Sequence, residues 1–260
     1  MTHLTHRSLA LALLVGAGAA LGTVATPAPG TASALAPMST AFTGAARVGA
    51  LFSTVGGRLA GHFCTASVVD SPGHDLLVTA AHCAVQPGSG RARSGLVFVP
   101  GYRDGMKPYG AWSVTRVVVG GQWARRGNPD YDVAFLTTRP LHGNRQVQDV
   151  VGSEAISFDH ARHGHAVAVG YPHVSERPVF CGSALHSFGR TQLEFDCPGL
   201  PGGTSGGPLL TGAAANATGR GSVVGIIGGY QQGGATADIS YSPYFGPGIA
   251  AVYRTALNQR

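Results

Sequence analysis

Lysine is almost missing from this chain. Of 260 residues only Lys107 is lysine, and the other basic side chains are arginines scattered from end to end. The formal charge is +6, yet no basic stripe gathers in the way that tracks a phosphate backbone. Nucleic acid is therefore set aside as a partner, and the surplus reads as a solubility feature. Long apolar runs are absent after the first segment, which argues against a membrane-spanning body. Cysteine is scarce: Cys64, Cys83, Cys181 and Cys197 are the full set, and no C-x-x-C element joins any two of them. That argues against a zinc site. Helical stripes are few, and no long internal repeat is visible.

What is present starts with an export signal. MTHLTHRSLALALLVGAGAALG has a short polar start, one arginine and an apolar run from Leu9 to about Leu21. Ala32-Ser33-Ala34 fits the small-x-small rule for cleavage. Residues 1–34 are thus expected to leave, and the product to be secreted. An uncleaved anchor or core helix is the competing reading of the same stretch. In an oxidising compartment an even cysteine count reads as two disulfides. Three pairings are possible. The local one, Cys64 with Cys83 and Cys181 with Cys197, is chosen because it staples one half of the chain and then the other.

Residues 35–46 are rich in Pro, Thr and Ala, and read as an extended arm or short pro-segment. Six strand-like runs follow: RVGALFS, HFCTASVVD, DLLVTAA, SGLVFVP, WSVTRVVV and DVAFLTT. A second six are HAVAVGY, PVFCGSALHS, QLEFDC, GPLLT, SVVGIIGG and a weaker SYSPYF. The expected fold is all-β: two packed six-stranded Greek-key β-barrels, over 47–145 and 146–260. Ile249, Val252, Tyr253, Ala256 and Leu257 recur at helical spacing and predict a closing C-terminal helix.

Acyl transfer by serine needs a hydroxyl, a neutral imidazole to take its proton and a buried carboxylate to orient that imidazole. LLVTAAHCAV places His82 just after an apolar strand and beside Cys83, whose disulfide would pin the turn. NPDYDVAFL offers Asp130 and Asp132. Asp132 opens a buried strand, and a buried aspartate needs a partner such as an imidazole N–H. Asp130 sits in the Asn-Pro turn and reads as solvated. In GGTSGGP, Gly203 and Ser205 can turn their N–H groups to one point, because Gly203 tolerates φ > 0. Taken alone, that segment reads as a polar glycine turn.

TAAHC, DVAF and G-x-S-G-G-P in that order resemble the chymotrypsin-like (trypsin-fold) serine peptidases, over about Arg47 to Tyr253. The resemblance implies His82 as general base, Asp132 as orienting carboxylate and Ser205 as nucleophile. It implies an oxyanion hole from the N–H groups of Gly203 and Ser205, includes the Cys64–Cys83 bridge, and calls for no cofactor or metal. The expected partner is a protein or peptide substrate, and the expected state a monomer.

Two departures stand out. Animal digestive members carry aspartate before the serine, and a freshly cut N-terminal amine pairs with it. Here the position holds Thr204, which cannot neutralise an ammonium, so that activation switch is not expected. Secreted bacterial members often lack it, and the composition, the signal and the GYP…GG-x-SGGP run resemble that branch. Second, trypsin-like cleavage needs a carboxylate six residues before the serine, where Gly199 stands, followed by Leu200. Glutamyl endopeptidases, similar in layout, place a histidine where this chain has Ile227. Leu200 and Ile227 are expected to form an apolar wall, with Gly228, Gly229 and Tyr230 as the substrate-pairing edge. An uncharged residue before the cut is the expectation.

Three further features carry less. Asp159 to His165 holds three histidines in six residues and reads as a solvated loop rather than a metal site. Trp123, Arg125 and Arg126 precede Asp132 and could border a substrate cleft, but read by default as exposed loop. Asn216-Ala217-Thr218 is a glycosylation sequon. A catalytically dead member kept as a binding module, and an esterase for small acyl esters, are the rival functions.

Overall fold

The computed structural model describes residues 38–214 and 217–259. The predicted signal, its cleavage point at Ala34, the first residues of the arm and Asn216 of the sequon lie outside them.

The first six runs form six strands: β2 (Val48–Val55), β3 (Arg58–Val68), β4 (Leu76–Thr79), β5 (Val97–Pro100), β6 (Trp112–Val119) and β7 (Ala134–Pro140), after a two-residue strand β1 (Thr40–Ala41) in the arm. They close into a barrel in the order β2-β3-β4-β7-β6-β5. β4 and β5 are buried at every position, which explains their unbroken apolar reading. Leu51, Leu77, Phe98, Phe135 and Leu136 fill this half and exclude solvent completely.

The second half uses β8 (Ala155–Ile156), β9 (Gly164–Gly170), β10 (Val179–Phe188), β11 (Gln192–Asp196), β12 (Pro208–Thr211), β13 (Ser222–Ile226) and β14 (Ile239–Pro243). Here the expected closed six-stranded barrel needs correcting. The strands form one eight-stranded sheet, ordered β14-β11-β10-β9-β12-β13-β8, with β1 paired to β10. Its two ends approach without a ladder. Ile226 N–H donates to Ser242 Oγ (2.9 Å) and Gly228 N–H to the Tyr241 carbonyl (2.9 Å). A side-chain oxygen therefore takes the place of one ladder acceptor. The additional strands β1 and β8 are two residues long, too short to show any period.

The C-terminal helix spans Pro247–Asn258, with proline in its first turn, where a missing N–H costs nothing. It buries Ile249, Val252 and Ala256. Tyr253 packs at a tilt against Phe135 at 5.3 Å and donates to the Asp70 carbonyl at 2.6 Å. The helix thus packs on β6 and β7 of the first barrel, while Tyr253 also meets Phe158 of the second half at 5.5 Å. The N-terminal arm does the reverse. β1 pairs Thr40 with Phe180, and Ser39 donates to the Gly199 carbonyl at 2.6 Å.

Candidate active site

β4 ends at Thr79, and a one-turn helix, Ala81–Ala84, carries His82. The Cys64–Cys83 disulfide ties this turn to β3. Trp123 packs beneath it. The residue is buried, not exposed loop as expected of it together with Arg125 and Arg126, and its indole donates to the Val85 carbonyl at 3.2 Å. It stands on the inner face of a short helix, Gly121–Arg126, whose arginines point outward.

Asp132 follows the 3-10 turn Pro129–Tyr131, which Asn128 caps by accepting from Asp130 N–H. Its carboxylate is wholly buried and accepts three hydrogen bonds. These come from His82 N–H (2.8 Å), His82 Nδ1 (2.7 Å) and Gly229 N–H (2.9 Å). Three N–H donors make the burial of an acid tolerable. A carboxylate only accepts, so Nδ1 carries the ring proton and Nε2 is left as an acceptor. Asp130 is half-buried instead and accepts from the Gln192 amide at 2.8 Å.

Ser205 stands beside the turn that carries His82. Thr65 N–H donates to the Ser205 carbonyl at 2.8 Å, and Cys83 Sγ lies 3.7 Å from the same oxygen. Gly206 has φ of +81°, and a Cβ there would overlap Thr79 Oγ1 and the Thr65 carbonyl. Gly203 has φ of +99°, and a Cβ there would overlap His173 N and the Tyr171 carbonyl. Both turns require glycine for conformation and for space. Among the described residues, neither Gly203 N–H nor Ser205 N–H has an acceptor, and no hydrogen bond joins Ser205 Oγ to His82. Serine–imidazole contacts are often loose without substrate. Between the two free donors Thr204 is buried. Its hydroxyl donates to the Pro201 carbonyl at 2.7 Å and closes that turn on itself.

A cleft of about 210 Å³ opens beside Ser205. Leu200 and Ile227 line it, with Pro201, Gly202, Thr204 and the segment Gln232 to Ala237. No lining residue is charged. The other residues expected in the pocket are placed differently. Gly199 is turned toward Ser39. Gly228 donates to the Tyr241 carbonyl, and Gly229 donates its N–H to Asp132, so neither N–H is free to pair with a substrate backbone. Tyr230 is exposed and packs on Phe188 and Tyr241. The sequence reading missed the Gln232–Ala237 wall, whose Gly, Ala and Thr residues have no pattern to flag them.

The Cys181–Cys197 disulfide belongs to the same buried cluster as Leu200 and Ile227, and Leu200 follows Cys197 by three residues. Replacing both cysteines by serine is expected to lower unfolding free energy by about 3 kcal/mol, the usual scale for a loop of this size. A urea unfolding curve checks it. Among the described residues, the only three ligand-type side chains within 4.8 Å of one another are Cys64, Cys83 and His82, and both sulfurs belong to the disulfide.

The chain has the fold of the chymotrypsin-like serine peptidases, which it shares with solved proteases. The chain is similar to the crystal structure of the protease Anisep from Arthrobacter nicotinovorans, at 29% identity and a TM-score of 0.72, covering 85% of this chain and 99% of that one. It is similar to the thermostable serine protease AL20 from an extremophilic microorganism, at 27% identity and a TM-score of 0.72, covering 83% and 99%. A Glu endopeptidase shares the fold at 17% identity and a TM-score of 0.64, covering 85% and 97%. No protein-family model matches the chain. No curated protein matches it either.

Proposed function

We propose that this chain is a secreted serine endopeptidase in which Ser205, His82 and Asp132 act as one unit. The observation that carries the reading is the buried Asp132 carboxylate on His82 Nδ1, beside a serine flanked by unpaired N–H groups. Ser205 Oγ attacks the peptide carbonyl as His82 Nε2 takes its proton. Asp132 stabilises the imidazolium that results. The developing oxyanion is met by Gly203 N–H and Ser205 N–H. His82 then protonates the leaving amine, and water repeats the cycle on the acyl-enzyme. The two disulfides fit an extracellular setting. Digestion of a denatured protein mixture, read by mass spectrometry, tests the reading. New internal cuts support it, and their complete absence from fluorophosphonate-sensitive material defeats it.

The uncharged cleft sets the specificity. Leu200 and Ile227 offer an apolar wall, and no charged side chain lines the cleft. Placing Arg, Lys or Glu in it would leave that charge without a counter-charge, a penalty of several kcal/mol if it is buried there. A peptide-library profile is expected to favour uncharged, mainly apolar residues before the cut. A profile dominated by Arg, Lys or Glu would sink the assignment.

A further inference from the structure

The residue before Ser205 cannot form the ion pair that assembles the oxyanion hole in animal members of the class, so something else must hold it. Two carbonyls of the loop are fixed from outside. Gly202 C=O accepts from His173 N–H at 2.9 Å and lies 2.6 Å from His173 Nδ1. Gly203 C=O accepts from Thr65 Oγ1 at 3.0 Å, and the same hydroxyl oxygen accepts Tyr171 N–H at 2.8 Å. Thr65 is fully buried, whereas His173 is exposed and stands outside the cleft lining.

Geometry gives these bonds a consequence. In a trans peptide the C=O and N–H point in opposite directions, and no peptide here is cis. Holding Gly202 C=O on His173 therefore aims Gly203 N–H the other way, out of the Tyr171–His173 turn. A half-turn of that peptide would present a carbonyl oxygen where an oxyanion has to sit. Glycine on both sides makes the half-turn easy in the backbone. The bonds to His173 and Thr65 oppose it.

Resting on the reading of Ser205 and Gly203 above, we propose that His173 and Thr65 are positioning residues that clamp the oxyanion loop in its working orientation. His173 secures the Gly202–Gly203 peptide by its ring N–H as well as its backbone. Thr65 secures the next peptide and couples it to Tyr171. The neutral Nδ1–H ring and the imidazolium both donate from Nδ1, so the clamp holds in either protonation state. Neither side chain touches a reacting atom.

The test compares His173→Ala, His173→Asn, Thr65→Val and Thr65→Ser with the parent chain. His173→Ala is expected to lower kcat about fivefold to tenfold, the worth of one neutral hydrogen bond, with KM within about twofold. A peptide aldehyde, whose hemiacetal oxygen occupies the oxyanion site, is expected to bind more weakly by the same factor. His173→Asn keeps a donor at the same reach and is expected to recover most of the loss. Thr65→Val leaves the Gly203 carbonyl and Tyr171 N–H without a partner and is expected to lower kcat about 100-fold, with Thr65→Ser close to parent. A folded His173→Ala with unchanged kcat and aldehyde affinity overturns the clamp, and so does a His173→Asn no better than alanine. Crystal structures of the variants separate the two ideas. A Gly202–Gly203 peptide unmoved in both His173→Ala and Thr65→Val ends the clamp whatever the activity, whereas a parent chain that cleaves nothing ends the reading of Ser205.

Discussion

A Ser205→Ala variant is expected to fold like the parent, lose fluorophosphonate labelling entirely and fall in kcat by about 10⁶-fold. Fold and function separate cleanly here because Ser205 Oγ forms no hydrogen bond among the described residues. The contacts that hold the turn are made by backbone: Ser205 C=O to Thr65 N–H, and Gly206 N–H to the Ile227 carbonyl at 2.7 Å. Alanine keeps both. The melting temperature should therefore stay within about 2 °C, as for a side chain with no partner to lose. Labelling that persists in this variant would remove Ser205 as the nucleophile. A variant that melts far below the parent would mean that the hydroxyl has a structural partner after all.

Asp132→Asn is expected to lower kcat by about 10⁴-fold while leaving fluorophosphonate reactivity weak but present. The cause lies in the three donors that the carboxylate faces. Every group facing the carboxylate is an N–H, and an amide has only one oxygen to offer. With its NH₂ toward Nδ1 and Gly229, the amide drives the imidazole to the opposite tautomer, so that Nε2 carries the proton and cannot accept one from serine. With its NH₂ toward His82 N–H, it sets two donors face to face. Either way a buried N–H loses its acceptor, at about 1–3 kcal/mol. The expectation is thus double: lost turnover, measured with a peptide amide, and a lower urea midpoint. Activity near parent would show that Asp132 neither orients nor stabilises the imidazole.

Much of the fold was legible because its signals are local. Each of the twelve apolar runs read from the sequence corresponds to one strand among β2–β7 or β9–β14, and the helical stripe from Ile249 to Leu257 lies in the closing helix. β1 and β8 left no trace, since two residues have no period. The meeting of β13 and β14 through Ser242 was equally hidden, because a strand serine looks the same whether its hydroxyl faces water or a neighbour's N–H. At the site, the motifs around His82, Asp132 and Ser205 stood out by their spacing and order. The partners that set their geometry did not. Thr65 and Gly203 are 138 residues apart, and Asp130 and Gln192 are 62. Gly229 was read as a substrate edge, yet its N–H belongs to Asp132. Contacts of this kind leave no spacing to read, because each end is an ordinary residue in its own neighbourhood.

The crossing of β1 and the closing helix has a bearing on how such a molecule survives among copies of itself. The connection from Leu141 to Arg145 is exposed throughout, and is an obvious place for a self-inflicted nick. A cut there yields two fragments, each of which carries a piece belonging to the other. The early fragment keeps β1, seated on β10, and Ser39, bonded to Gly199. The late fragment keeps the helix whose Tyr253 reaches back to Asp70. The fragments remain interlocked like clasped hands, and a break in the covalent chain need not become a break in the molecule.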